Sequence, residues 1–210
     1  SVRSYLDVLR DKCQVGQRVA LIGAGGIGFD TAEFLLHEGG SSSLDAEQFF
    51  KEWGVDRSYT SAGGLQTAHS APSPRKIYLL QRKKSKVGDG LGKTTGWIHR
   101  TALKNRAVEM MNLVSYQRID DQGLHILAGD QPITLAVDTI VVCAGQEPQR
   151  QLQADLTAAG LGVHLIGGAD EAAELDAKRA IAQGTQLALQ WGEPLRVPVA
   201  ASQSSGARTA

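Results

Sequence analysis

Apolar positions along the chain fall into two alternating patterns, short unbroken runs and helical stripes, and their order predicts most of the architecture. Arg18 to Ile22 (Arg-Val-Ala-Leu-Ile) is a compact apolar run between Gly16 and Gly23, which suits a strand buried on both faces of a parallel sheet. From Gly26 to His37 the apolar residues Ile27, Ala32, Leu35 and Leu36 recur at helical spacing, and Gly39-Gly40 predicts a C-cap for that helix. Lys76 to Leu80 and Val108 to Met111 read as two further strands, joined by a Gly-rich turn at 88–96 and a helix from Ile98 to Arg106. Thr139 to Cys143 is a fully apolar strand closing on Ala144-Gly145.

Between these strands the pattern changes. Val114–Ile119, Leu124–Leu127 and Ile133–Val137 are split by Asp120-Asp121-Gln122-Gly123 and Gly129-Asp130, which predicts a β-meander where a crossover helix would otherwise run. Residues 1–16 predict a short amphipathic helix on Tyr5, Leu6 and Leu9 with no strand before it, an abrupt start that suggests a fragment. Residues 39–74 interrupt the rhythm and read as an insertion with one short helix around Phe49, Phe50 and Trp53. Residues 146–160 read as a polar connection, Gly162 to Gly168 as a strand entering a Gly turn, Ala172 to Leu189 as a helix, and 192–210 as a disordered tail. The fold class is therefore α/β, a Rossmann-like parallel sheet with a β-meander crossover.

Composition removes several functions. The 22 Lys and Arg balance 22 Asp and Glu, which leaves no net charge to drive nucleic-acid or membrane-surface binding, although a local basic cluster remains possible. No apolar run reaches the roughly 20 residues that span a bilayer, and the two cysteines, Cys13 and Cys143, have neither disulfide-framework nor metal-site spacing. A cytoplasmic location follows as the expectation. The five histidines are scattered and His37-Glu38 is not a metal-binding helix motif, so no metal ligand is assigned.

One motif carries chemistry. Gly23-Ala24-Gly25-Gly26-Ile27-Gly28 is a G-x-G-x-x-G that follows a strand and opens a helix, the context in which this spacing cradles a dinucleotide pyrophosphate. Gly23 permits the turn, Gly25 lets the backbone approach phosphate, and Gly28 lets helix pack on strand. At the end of the second strand an NAD site would place Asp or Glu for the ribose 2′-hydroxyl; here Leu80 runs into Gln81, Arg82 and Lys83. Cations at that point suit a 2′-phosphate, so NADP is favoured, against the plainer reading of a solvated charge run. Gly88 to Thr95 imitates a phosphate loop for nucleoside triphosphates, but its glycines at 88 and 92 are one residue too close, and a flexible loop near a nicotinamide ring fits better. Cys143 inside an apolar strand reads as a small buried hydrophobe, and no side chain is assigned a catalytic role.

Three segments carry a more specific likeness: Leu91 to Arg100 (Leu-Gly-Lys-Thr-Thr-Gly-Trp-Ile-His-Arg), Cys143 to Pro148 (Cys-Ala-Gly-Gln-Glu-Pro), and Val163 to Gly168 with Glu174 to Ile181. Together they resemble the C-terminal part of the bacterial NADPH-dependent 2,4-dienoyl-CoA reductases, over all but the tail. The resemblance implies a flavoprotein whose N-terminal barrel carries FMN and a 4Fe-4S cluster, followed by an FAD domain interrupted by an NADP domain. On that likeness residues 1–15 and 146–191 are pieces of a partial FAD-type domain, and 16–145 are the NADP domain. The partners implied are the barrel and the other half of the FAD domain in the same polypeptide. The likeness also implies NADP(H) on Gly23 to Gly28, Arg82 and Lys83, the domain crossover at Ala144-Gly145, and a partial FAD site at Gly167, Gly168, Asp176 and Ala177. Purified alone, such a chain is expected to lack dienoyl-CoA reductase activity. Two alternatives stay open: a fragment of a trimethylamine-dehydrogenase-like amine oxidoreductase, and a non-catalytic NADP-binding module.

Overall fold

The computed structural model describes residues 1–37, 39, 41–173 and 177–190. The chain divides into two compact units, Ser1–Ala144 and Gly145–Ala210.

The first unit opens with β1 (Val2–Ser4) and α1 (Tyr5–Leu9), followed by β2 (Arg18–Ile22), α2 (Gly26–Leu35), α3 (Ala46–Trp53) and β3 (Lys76–Leu80). Next come α4 (Gly96–Asn105), β4 (Glu109–Met111), the strands β5 (Val114–Asp120), β6 (Gly123–Ala128) and β7 (Gln131–Leu135), and finally β8 (Thr139–Val142). Five strands form a parallel sheet in the order β1-β8-β2-β3-β4, and β5-β6-β7 form the antiparallel meander. With β2 as first strand, the order β4-β3-β2-β8 is the 3-2-1-4 arrangement of a doubly wound dinucleotide fold.

The alternation of side chains explains the layers. Val19 and Leu21 of β2, Ile77 and Leu79 of β3, and Val141 of β8 point to one face, where they pack with Phe29, Ala32, Leu35 and Leu36 of the α2 segment, Leu103 of α4 and Val8 of α1. Ala20, Tyr78, Leu80 and Ile140 point to the other, where Val114, Leu124, Ile126 and Leu135 of the meander cover them. A strand buried on both faces must be apolar at every position, which is why β2 and β3 read as unbroken runs. The meander does the covering that a crossover helix would otherwise do.

The structure departs from the sequence pattern at both ends of the chain and after α2. Residues 1–16 do contain a strand: Val2 to Ser4 pair in parallel with Ile140 to Val142, and a capping box between Ser4 and Asp7 then starts α1. Three residues are too few to show a period. α2 ends in a right-handed turn capped at Leu36, before the glycines expected to cap it, and Gly40 lies outside the described residues. In the second unit, residues 146–160 are not merely a connection, since Gln151–Ala158 forms α5. Residues 162–168 form no strand; Ile166 is extended and leads into a 3-10 turn at Gly167–Ala169, and no described strand of that unit offers a ladder partner. α6 (Ala177–Gln190) begins beyond the expected Ala172, and the tail 192–210 lies outside the described residues.

Candidate functional site

The carboxyl ends of β8, β2 and β3 lie side by side, with Ile22 in register with Val142 on one flank and Leu80 on the other. The amide of Gly23 donates to the carbonyl of Leu80 at 3.0 Å, and the amide of Cys143 donates to that of Ile22 at 2.8 Å. This brings the glycine turn, the basic turn after β3 and Ala144 after β8 to one edge of the sheet. Ligands of doubly wound folds bind at this edge, where the strand order reverses.

Glycine is required within the turn for two different reasons. Gly23 sits at φ +109°, and a Cβ on Gly28 would lie 1.9 Å from the Gly23 carbonyl oxygen, so these two allow the chain to pack on itself. Gly25 and Gly26 are exposed, and a Cβ on either would meet nothing within 4 Å. Gly25 is the N-cap of α2 and has no side chain to satisfy the helix's first amides; the first helical bond runs from Phe29 to the Gly25 carbonyl at 3.1 Å. The amides of Gly26, Ile27 and Gly28 therefore precede that bond at the positive end of a ten-residue helix. Ala24 and Ile27 pack against the core and fix the turn from below. These features fit a diphosphate: free donors, a favourable dipole and open space above the backbone.

The basic turn is held by its own backbone. Gln81 and Met111 bond through the Gln81 amide at 2.9 Å, Leu113 donates to the Lys83 carbonyl at 3.1 Å, and Asn112 Nδ2 donates to the Lys84 carbonyl at 2.7 Å. The Gln81 side-chain amide donates to the carbonyls of Ser85 and Lys83 at 2.8 and 3.2 Å, so Gln81 shapes the turn, while Arg82 and Lys83 are exposed. Arg82 lies near Tyr116 of the meander; burial pushes the Tyr116 phenol up to about 12, and the Arg82 charge opposes that rise. Tyr116 was not legible as a neighbour because the meander's register is not readable from spacing alone.

Further along, Gly88 packs against Phe29 of α2, and its carbonyl accepts from Arg100 Nη1 at 2.8 Å. The loop expected to be flexible is thus anchored at its start. His99, on α4, pairs with Glu33 of α2 at 2.7 Å. Cys143 is buried, and burial pushes its thiol up to about 11. In the second unit, Gly167 at φ +58° opens the 3-10 turn, its amide donates to Gln183 Oε1 of α6 at 2.6 Å, and Gly168 follows within the turn. Ala177 is the first residue of α6, and Asp176 lies outside the described residues. Among the described residues no group of His, Cys, Asp and Glu is placed to hold a metal ion, and no helix is long and apolar enough to cross a membrane.

Residues 3–173 match the family model described as pyridine nucleotide-disulphide oxidoreductase. The chain belongs to this family. Membership makes it part of an oxidoreductase and implies binding of FAD and a pyridine nucleotide. A curated relative, a metal reductase of Desulforamulus reducens, is 25% identical over 171 residues, which are 78% of this chain and 23% of that protein. Among solved structures, a 2-naphthoyl-CoA reductase in complex with 2-naphthoyl-CoA aligns at a TM-score of 0.60 and 21% identity, over 89% of this chain and 23% of that one. Histamine dehydrogenase from Rhizobium sp. 4-9 aligns at 0.61 and 16%, over 95% of this chain and 27% of that one. These two show the fold. The chain spans about a quarter of the length of each of these relatives.

Proposed function

We propose that this chain is the NADPH-binding part of a larger flavin and iron–sulfur oxidoreductase, and that it positions NADPH for hydride transfer to FAD and onward reduction of a 2,4-dienoyl-CoA. The observation that carries the reading is the Gly23–Leu80 bond, which sets a capless glycine turn beside a turn bearing Arg82 and Lys83 with no carboxylate between them. Gly25 to Gly28 would hold the pyrophosphate, and Arg82 with Lys83 the 2′-phosphate. When bound, NADPH supplies the hydride; the chain's own residues bind and orient it.

The acyl-CoA end of the reading is supported by the fold shared with a 2-naphthoyl-CoA reductase and by the sequence likeness of Leu91 to Arg100. FMN, the 4Fe-4S cluster and the acyl substrate belong, in this reading, to a barrel elsewhere in a longer polypeptide, and the FAD site is shared with Gly167, Gly168 and Ala177. Calorimetric titration with NADPH and NADH tests the proposal. Binding of NADPH at least about ten-fold tighter is expected, and equal affinities would overturn it.

A further inference from the structure

The basic segment does not end at the dinucleotide turn. From Arg82 to Lys104 every charged side chain except Asp89 is cationic, although the chain as a whole is neutral. Trp97, Arg100, Thr101 and Lys104 are spaced i, i+3, i+4 and i+7, so they share one face of α4. That face lines a cleft of about 620 Å³ together with Lys86 and Asn112 and with the apolar Val87 and Met110. An apolar contact face would be usual at this spacing; here an aromatic ring is followed by cations and a hydroxyl.

The groups are oriented. The Trp97 indole nitrogen donates to the Thr94 carbonyl at 3.1 Å, which fixes the ring, and the residue remains 56% exposed. Arg100 spends one guanidinium nitrogen on the Gly88 carbonyl and keeps the rest of its fork. The Asn112 amide nitrogen is taken by the Lys84 carbonyl, which leaves Asn112 Oδ1 as an acceptor. Among the described residues no ion pair involves Lys86 or Lys104.

We propose that this cleft is a second nucleotide site, beside the basic turn that Asn112 also braces, which takes an adenine ring carrying two or more phosphates. The ring stacks on Trp97 and offers its exocyclic amine to Asn112 Oδ1, while Lys86, Arg100 and Lys104 bind the phosphates. Two sources share this chemistry: a free adenine mononucleotide, and the 3′-phosphorylated nucleotide end of a coenzyme A thioester. The second source rests on the proposed function; the site itself does not.

The test is calorimetry on the full chain with ADP and with adenosine 3′,5′-bisphosphate, each in the presence of excess NADPH. One site is expected for each, weakened about ten-fold or more by Lys104→Glu and by Trp97→Ala and retained by Trp97→Phe, with NADPH affinity of the variants within about two-fold of the parent. Bisphosphate binding at least about ten-fold tighter than ADP assigns the site to coenzyme A, and comparable binding assigns it to free nucleotide. Absence of binding by both ligands, displacement by NADPH, or unchanged affinity in Lys104→Glu and Trp97→Ala overturns the site. Failure of NADPH itself to bind would instead count against the proposed function.

Discussion

The amide of Gly23 and the carbonyl of Leu80, 3.0 Å apart, join the turn after β2 to the strand that leads into Arg82. Because β2 and β3 are parallel and in register from Arg18 with Lys76 to Ile22 with Leu80, both turns emerge at the same level of the sheet. A one-residue slip would break that bond and exchange the strand's two buried faces, setting residues fitted to the helices against the meander.

The two classes of glycine in the turn should separate in their effects. Gly28→Ala forces a methyl to within 1.9 Å of the Gly23 carbonyl oxygen, so backbone must shift, at a cost of about 1–3 kcal/mol. A Cβ at Gly25 meets no protein atom within 4 Å, so Gly25→Val should cost only the weaker N-cap, about 1 kcal/mol, while NADPH binding is lost. Thermal unfolding and calorimetry on both variants check this, and normal NADPH binding by Gly25→Val would place the phosphates elsewhere.

Arg82 is the planar donor of the basic turn. On the proposed reading, its removal takes away charged hydrogen bonds to the 2′-phosphate, about 1.5–3 kcal/mol. Arg82→Ala should weaken NADPH about ten-fold or more and leave NADH unchanged. A parallel loss for both nucleotides would show that Arg82 does not read the 2′-phosphate.

Asp56, in the segment between α3 and β3, accepts from the hydroxyls of Ser58 and Thr60 and from the amides of Ser58, Thr60 and Ser61 at 2.5–3.1 Å. These bonds, the Ser58 hydroxyl foremost, hold its carboxyl far below the ordinary value of 3.8. The folded value is depressed, so the stability it contributes is present above the unfolded pKa and is lost as pH falls through the folded one. The Tm gap between parent and Asp56→Asn should therefore be full at about pH 5 and above and should narrow in stronger acid. A gap independent of pH would sink the assignment.

The legible parts of the fold were those with an unbroken apolar run or a clear turn signal. Arg18 to Ile22 and Lys76 to Leu80 sit between two layers, and the turns around Gly123 and Gly129 mark the meander, so composition alone reveals them. Val2 to Ser4 becomes a strand only because Ile140 to Val142 lies beside it, a contact made across nearly the whole first unit. Residues 162–166 failed in the opposite direction: an apolar stretch is a strand only where a partner exists. For the candidate site, the glycine spacing and Arg82 were readable from order along the chain. The cleft beneath Trp97 was not, because Lys86 and Asn112 meet α4 only through the packing of β4.

Cys143 should be inert. Burial raises its thiol to about 11, so almost none is thiolate at neutral pH, whereas Cys13 is partly exposed. A thiol-reactive chromogenic disulfide at about pH 8 should titrate one cysteine quickly and the second only after denaturant is added. Rapid reaction of both thiols in the native protein would show that β8 opens at its carboxyl end.

A buried ion pair ties the segment between α2 and β3 to the end of α4. Arg106, whose side chain is 7% exposed, donates to Glu52 Oε1 of α3 at 2.7 Å and to the Leu36 carbonyl at the end of α2 at 3.2 Å, so one guanidinium joins three elements. Burial alone would raise the Glu52 carboxyl, but hydrogen bonds from Ser42 and Arg106 and the Arg106 charge hold it below its ordinary value. Its contribution is accordingly present above the ordinary carboxylate range and lost in acid. Glu52→Ala leaves a buried cation without its carboxylate, which should cost about 3 kcal/mol. Replacing both partners, Glu52→Leu with Arg106→Met, removes the charges together and should cost less than Glu52→Ala alone. Chemical denaturation of the three proteins decides it: a double variant less stable than Glu52→Ala would mean that Arg106 acts through its bond to Leu36 and not through the ion pair.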